Sequence, residues 1–253
     1  MKLYKVEAVV LRSRDLGGGD KLLILFSREH GKMKVVAHGA AKPSSRKRGA
    51  VQLFSHTNFL IHRGRELDSV SQCEGVEMFS FIMGDLEKIG YASHLSELVD
   101  ALAPEGEPNE PLFFLLLETM RLMETADAEI LARSFEINAA GFLGYRPVLE
   151  LCAQCQGQPA GNIFFSPGQG GVLCETCGRL EPGAMPCSRG VVETLKVFLS
   201  WPPARLRQLK VGEAARKQIK KLLHEYLKYH LEQDLKSAAF LNRLYPEHAG
   251  RDV

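Results

Sequence analysis

Two Cys-x-x-Cys pairs constrain this chain more than any other feature. Cys152 and Cys155 form the first pair, Cys174 and Cys177 form the second, and 18 residues separate them. Each pair presents two thiolates from one tight bend, and two such bends complete a tetrahedral zinc site. We predict one structural Zn²⁺ ion here, because four thiolates leave no open coordination position for a catalytic water. Reactive thiol pairs and a disulfide framework are the alternatives, and 6 cysteines in 253 residues are too few to favour the framework.

The predicted zinc module spans residues 149–180. Gly157 and Gly178 follow the two cysteine pairs closely, where a glycine forms a turn with positive φ without strain. The two remaining thiols, Cys73 and Cys187, have no obvious partner in the sequence. We expect both to be buried and free.

Charge is strongly segregated along the chain, although the net charge is only +2. Residues 30–65 contain eight Lys or Arg and no acid, whereas residues 66–136 contain sixteen acids and three bases. Residues 178–230 are basic again, with eleven bases and four acids. This pattern predicts two basic surfaces beside an acidic body, and nucleic acid is the commonest polyanion that such surfaces bind. A solvated surface without a partner is the alternative.

The N-terminal part of the chain has the pattern of a small β-barrel. Five short β-branched or alternating segments occur within about 75 residues, and glycine-rich turns separate them. Between the third and fourth segments, residues 39–49 form a Pro- and Gly-bounded basic stretch, predicted to be an exposed loop without a core role. The candidate DNA-contacting residues in and beside this loop are Lys34, Lys42, Arg46, Lys47, Arg48, Arg63 and Arg65.

From about residue 78 onward the apolar period changes from two to three or four, which predicts helices. Helices are expected over residues 112–125, 128–143, 189–199 and 212–233, with the zinc module inserted among them. The predicted fold class is therefore α+β: a small N-terminal β-barrel in residues 1–80, followed by an all-helical domain in residues 81–253 that carries the Cys₄ zinc module.

Several function classes lack their sequence signatures. No apolar segment of signal-peptide length opens the chain, and the longest apolar run, residues 112–117, is too short to span a bilayer. The chain is therefore expected in the cytoplasm and not in a membrane. The His-Glu-x-x-His motif, the phosphate-binding loop, the Gly-x-Ser-x-Gly elbow and the deaminase arrangement are all missing. We therefore expect a protein that is not an enzyme.

Three stretches resemble the bacterial RecO family of recombination mediators. They are residues 8–32 with Asp-Lys-Leu-Leu-Ile-Leu-Phe-Ser-Arg-Glu-His-Gly-Lys, residues 37–50 with His-Gly-Ala-Ala-Lys-Pro, and residues 135–177 from Phe-Glu-Ile-Asn-Ala-Ala-Gly-Phe-Leu-Gly-Tyr-Arg-Pro into the cysteine pairs. Their order and spacing cover nearly the whole chain, and their combination is specific although no single stretch is decisive.

The resemblance implies an N-terminal OB-fold and a helical domain with a Cys₄ zinc module. It also implies a non-enzymatic DNA repair protein that binds single- and double-stranded DNA, anneals complementary strands and associates with RecR. Such a protein helps to load RecA onto strands coated by single-stranded-DNA-binding protein, and works at the bacterial nucleoid.

Some members also bind the acidic tail of the coating protein through the helical domain. The basic face of the last predicted helix is the candidate receptor here, formed by Lys217, Lys220, Lys221 and Lys228. A merely solvated helix face is the alternative for these lysines. For the whole chain, the alternative function is a zinc-containing interaction scaffold without direct DNA annealing.

Overall fold

Five strands close into a barrel at the N-terminus, in the order β1-β2-β3-β5-β4. The computed structural model describes residues 2–232 and 234–244. The predicted OB-fold barrel is confirmed, and each of its strands matches a predicted segment within a few residues. The strands are β1 (Leu3–Gly17), β2 (Asp20–Ser27), β3 (Gly31–Ala37), β4 (His56–His62) and β5 (Asp68–Glu77).

Alternation of side chains along the strands fills the barrel. On β1, Val6, Ala8 and Val10 point into the core, and Phe59 and Ile61 of β4 join them. Burial of each large apolar side chain stabilises the fold by roughly 1.5–3 kcal/mol. Phe59 is only 1 % exposed, so its ring belongs to the barrel interior.

The seam between β3 and β5 is short, and one other segment of the chain runs beside β3. The two strands pair in parallel only at Val35 with Asp68 and at Val36 with Ser69. Before this pair, the backbone of residues 105–106 runs beside β3, and the Gly106 N–H donates to the Lys32 carbonyl at 3.0 Å. We call residues 103–109 the acidic strap.

The connection between β3 and β4 is more than an exposed loop. Ala40 and Val51 belong to the barrel core, and the Ala50 carbonyl accepts hydrogen bonds from the Ser55 and Thr57 hydroxyls at 2.9 and 2.8 Å. The expectation that residues 39–49 have no core role is therefore wrong. Small apolar residues of this connection thus pack in the barrel core, while Lys42, Arg46 and Arg48 between them are exposed.

Three helices follow the barrel: α1 (Ser80–Met83), α2 (Leu86–Leu102) and α3 (Glu110–Leu122). Asp85 caps α2 by accepting from the N–H groups of Glu87 and Lys88, and Asn109 caps α3 by accepting from the Leu112 N–H. Side-chain caps of this kind satisfy backbone donors that a helix start leaves free. The acidic strap is the link between these two capped helices.

The remaining elements form the C-terminal part of the chain. They are α4 (Ala128–Phe142), β6 (Ile163–Ser166), β7 (Gly171–Leu173), α5 (Glu175–Leu180), β8 (Met185–Cys187), α6 (Arg189–Ser200), a 3₁₀ segment (Pro203–Gln208), α7 (Glu213–Leu231) and α8 (Lys236–Leu244). Strands β7, β6 and β8 form a small antiparallel sheet. Sequence periodicity gave no indication of β8 or α8, because a three-residue strand and a short terminal helix carry too little pattern.

By contacts, the chain divides into two compact units, the first ending at Glu124 and the second beginning at Thr125. This division groups α1, α2 and α3 with the barrel. The domain boundary at residue 80 stays a prediction. Within the described residues, no helix combines the length and apolar character needed to cross a bilayer.

Candidate metal centre and nucleic-acid interface

The two cysteine pairs meet in the second unit. The sulfur atoms of Cys152, Cys155, Cys174 and Cys177 all lie within 4.8 Å of one another, and the Cys155 and Cys174 sulfurs are 3.9 Å apart. A tetrahedral Zn²⁺ with Zn–S bonds of about 2.3 Å requires sulfur separations of about 3.8 Å. The four residues can therefore hold one metal ion of this type.

Backbone hydrogen bonds shape both cysteine turns. The Gln156 N–H donates to the Cys152 carbonyl at 2.9 Å, and the Cys152 N–H donates to the Gly157 carbonyl at 2.8 Å. The positive φ of this turn, 62°, falls on Gln156 and not on Gly157 as expected. The strained position is thus one residue earlier than the sequence suggested.

The second turn uses its glycine for a different reason. Cys174 caps α5, and Gly178 lies within that helix. A Cβ on Gly178 would stand 2.4 Å from the Phe164 ring. The glycine therefore permits close approach of β6 to α5. The expectation that Gly178 provides a turn with positive φ is wrong.

The surroundings of the cluster shift the pKa values of two of its thiols in opposite directions. Burial acts to raise the pKa of Cys152, but backbone N–H donors of Cys155, Cys174 and Gln154 outweigh it and lower this pKa to about 6. Burial and the neighbouring thiols raise the pKa of Cys177 to about 12. One thiolate is thus favoured by backbone dipoles, and further thiolates repel it unless a cation lies among them.

The other two thiols stand apart from this cluster. Cys187 is buried on β8, and burial raises its pKa to about 11. Cys73 on β5 is half-buried, and burial raises its pKa as well. Both are free. The expected burial is therefore complete at Cys187 and partial at Cys73.

The basic residues of the β3–β4 connection differ in their surroundings. Arg46 and Arg48 are exposed and have no carboxylate partner in the described part of the chain. Lys42 is also exposed, and its aliphatic chain passes beside Gly19 at the β1–β2 turn. Lys47 is half-buried, and its ammonium donates to the Val70 carbonyl of β5 at 2.7 Å. Lys47 thus anchors the connection to the barrel seam.

Arg63 and Arg65 lie in the β4–β5 turn and are exposed. The Arg63 guanidinium lies 5.4 Å from the centre of the Tyr4 ring, and the Tyr4 hydroxyl donates to Asp68. The contact between Lys47 and Val70 brings the β3–β4 connection beside the strand pair that ends in this turn. We define the barrel-end surface as Lys42, Arg46, Arg48, Arg63 and Arg65.

Lys34 lies in a different electrostatic setting. It forms an ion pair with Glu105 of the acidic strap, and this hydrogen bond raises the pKa of Lys34. Nearby, Asp100 is paired with Arg12 at 2.8 Å and with Lys32 at 3.5 Å. The outer face of β3 therefore carries cations that carboxylates already neutralise.

The sequence analysis missed two exposed bases near the barrel-end surface, Lys2 and Arg14. The Lys2 carbonyl accepts from the Arg63 N–H at 3.1 Å, so the start of the chain borders the β4–β5 turn. Arg14 stands on the β1–β2 hairpin, paired in register with Leu22. No local signal marks either residue, since both lie outside the acid-free segment.

On α7 the predicted apolar stripe is buried, with Ile219 and Leu222 among its members. Among the four candidate lysines, Lys217 pairs with Glu213 at 2.8 Å and Lys228 pairs with Asp234 at 3.0 Å. Lys220 is half-buried, and Lys221 is exposed. Binding of a partner tail by this face stays a prediction.

Comparisons with known proteins give one family over nearly the whole chain. The family described as "Recombination protein O N terminal" matches residues 1–79, and "Recombination protein O C terminal" matches residues 83–239. A protein named DNA repair protein RecO from Pelotomaculum thermopropionicum is 56% identical over 99% of this chain and 98% of its own length. Proteins of the same name from Desulforamulus reducens and Desulforudis audaxviator are 43% and 40% identical, over 99% and 96% of this chain and 98% of each relative.

Proposed function

The chain belongs to the RecO family of DNA repair proteins, and on that premise we propose that it binds DNA at the barrel-end surface and anneals complementary strands. Its role in this proposal is that of a non-enzymatic recombination mediator. The observation that carries the proposal is the group of exposed cations without an ion-pair partner among the described residues, in the β3–β4 and β4–β5 connections of an OB barrel. Barrels of this type bind strands along basic grooves.

The geometry favours contact with phosphates over contact with bases at this surface. Phe54 and Phe59 are each 1 % exposed, so neither ring is available for stacking. Lysine and arginine side chains neutralise phosphates without reading sequence, and each contact releases counterions. We therefore expect little sequence preference and a strong dependence of affinity on salt. The same surface can bind single and double strands.

The family premise extends the proposal to protein partners. We propose that the protein associates with RecR and helps to load RecA onto strands coated by single-stranded-DNA-binding protein. The basic face of α7 would receive the acidic tail of the coating protein. Lys221 is the candidate best placed for this contact, because it is exposed and has no ion-pair partner within the described ranges. This work takes place in the bacterial cytoplasm, at the nucleoid.

Titration of the full chain with an acidic, apolar peptide tests the tail site. Lys221→Glu should weaken peptide binding several-fold, because it replaces an available cation with a repelling charge. Lys217→Glu serves as the comparison, since Lys217 is already held by Glu213. Equal effects of the two substitutions, or no saturable binding by the unmodified chain, would reject α7 as the receptor.

We propose that the metal is Zn²⁺ and that its role is structural. Four cysteine sulfurs within 4.8 Å form the donor set that Zn²⁺ prefers, and they leave no position for substrate. The ion would join the turn at Cys152 to the start of α5, and so hold the small sheet against that helix. Metal analysis of the purified protein should give one zinc per chain.

The direct test of the function is strand annealing. Complementary oligonucleotides are coated with single-stranded-DNA-binding protein and mixed with and without this protein across a salt series. Acceleration that fades as salt rises is the expected result, since phosphate contacts release counterions. Bare oligonucleotides serve as the control that separates annealing from displacement of the coat.

An interaction scaffold without direct annealing is the second candidate function. Its support comes from the acidic residues Glu105 and Glu107 of the strap and from four clustered cysteines, which would leave no open position on a bound metal for catalysis. A scaffold would bind protein partners with little salt-sensitive affinity for DNA. Failure to accelerate annealing in a zinc-loaded, folded sample would favour this candidate over the mediator.

A further inference from the structure

A second acid-free basic segment lies in the second unit, outside every site described above. Residues 194–212 contain four basic residues and no Asp or Glu. One of them, Lys196, is held by Glu150 and Glu193, each at 3.0 Å. The others are exposed and have no ion-pair partner in the two ranges that the structure describes; they are Arg205, Arg207 and Lys210.

Trp201, the only tryptophan of the chain, stands at the start of this cationic stretch. It is partly exposed and caps α6, where its N–H donates to the Val197 carbonyl at 2.9 Å. The Arg205 guanidinium carbon lies 4.1 Å from the centre of the indole ring. An arginine stacked on a tryptophan presents a flat, cationic pair of groups at the surface.

The surrounding fold holds this pair in place. Leu206 is 3 % exposed and anchors the 3₁₀ segment, whose first turn closes with a hydrogen bond from the Arg205 N–H to the Pro202 carbonyl at 3.0 Å. At the end of α6, the Phe198 carbonyl accepts from the Asn138 amide at 2.7 Å. A ligand that binds here loses little free energy to ordering of the protein.

A flat aromatic group beside unpaired cations matches the chemistry of single-stranded nucleic acid. Bases of a single strand are free to stack on aromatic side chains, and its phosphates attract lysine and arginine. We propose that Trp201 and Arg205 receive a base, while Arg207 and Lys210 bind the adjoining phosphates. The inference rests on the proposed function, because a second site for single strands adds to strand annealing only if the protein binds and anneals DNA.

Intrinsic fluorescence gives a direct test, since all tryptophan emission of the full chain comes from Trp201. A short dye-labelled oligothymidylate reports overall binding by anisotropy, and the unlabelled strand is titrated while tryptophan emission is recorded. We expect saturable quenching of the emission by the strand. A rise in anisotropy with unchanged emission would overturn the inference and leave the proposed function intact. Absence of both signals would overturn the proposed function itself.

Charge reversal tests the phosphate contacts. Arg207→Glu should raise the strand concentration needed for half-maximal quenching about fivefold, since it replaces an attractive charge with a repulsive one. Arg189→Glu is the matched control: it makes the same charge change in the same unit, at the opposite end of the 12-residue helix α6. That helix is about 18 Å long. Equal shifts for both variants would contradict a local site.

Aromatic substitution tests the stacking. Trp201→Ala should slow annealing several-fold, and Trp201→Phe should restore most of the rate, because phenylalanine also offers a ring to a base. Equal annealing rates for the two variants would show that no base stacks on the ring at position 201, and would overturn that part of the inference. Quenching by an acidic, apolar peptide but not by oligothymidylate would assign the segment to a protein partner, and would also overturn it.

Discussion

The barrel has two basic surfaces, and they differ in how much of their charge is available. On the outer face of β3, Lys34 is paired with Glu105, and Asp100 engages both Arg12 and Lys32. At the barrel-end surface, none of the five cations forms an ion pair with a carboxylate of the described residues, although Lys42 lies close enough to Asp20 to help lower the pKa of that carboxyl group. Counts of Lys and Arg alone would give both surfaces a positive charge. Cations that are paired with a carboxylate attract phosphates less, so tertiary pairing decides which surface can bind a strand.

Loss of the metal is the largest change that we expect, and it should destabilise the second unit while leaving the first unit folded. Cys174→Ser should release zinc and lower the stability of the second unit by several kcal/mol, because binding of structural zinc is coupled to folding. Zinc content and thermal unfolding measure the effect, and Cys73→Ser is the control for loss of a thiol outside the cluster. Salt-sensitive DNA binding by the barrel should persist. A variant with normal melting and no zinc would show that the metal is not structural.

Charge reversal at the barrel-end surface should have the largest effect on DNA affinity. Arg46→Glu combined with Arg48→Glu should weaken binding of a single strand roughly tenfold or more and reduce the slope of log affinity against log salt by about 1.4, or about 0.7 per lost phosphate contact. Anisotropy titrations at several salt concentrations give both numbers. Arg189→Glu with Arg243→Glu makes the same charge change in the second unit. If the two pairs of reversals behave alike, the effect comes from net charge and not from this surface.

Lys47 should act mainly through stability, in contrast to its two arginine neighbours. Lys47→Met keeps the aliphatic chain but removes the ammonium that binds the Val70 carbonyl. We expect the free energy of unfolding in urea to fall by about 1 kcal/mol, with a smaller change in the salt slope than either arginine causes. A normal stability together with a full loss of one phosphate contact would place Lys47 among the DNA-binding residues.

The smallest effect on DNA affinity is expected at the outer face of β3, where carboxylates already pair with the cations. Glu105→Gln removes the carboxylate that holds Lys34, and should raise affinity for a single strand by roughly two- to threefold at low salt. Glu124→Gln, at an exposed site in the same unit, controls for the loss of one negative charge. An equal gain in both variants would mean that Lys34 makes no specific contact. A gain of tenfold or more would make β3 a principal binding face, and would reverse the ranking of the two surfaces.

Much of the fold was accessible from local sequence pattern. Alternation of apolar residues and glycine-rich turns predicted all five barrel strands, and the change to a helical period predicted α4, α6 and α7. The positions at which prediction failed depend on contacts from elsewhere in the chain. Gly178 is required by the Phe164 ring, and Ala40 and Val51 are core residues only because the barrel closes over them.

The sequence by itself determined the element types and the four-cysteine spacing, because both follow from short-range periodicity and turn chemistry. Only the tertiary structure decided which charges are available. Lys34 and Glu105 are 71 residues apart in sequence and form an ion pair, whereas Arg46 and Arg48 have no such partner among the described residues. The composition of an acid-free segment cannot reveal acids that another segment of the chain brings close to it. Electrostatic attraction depends on distance through space, and the fold sets that distance.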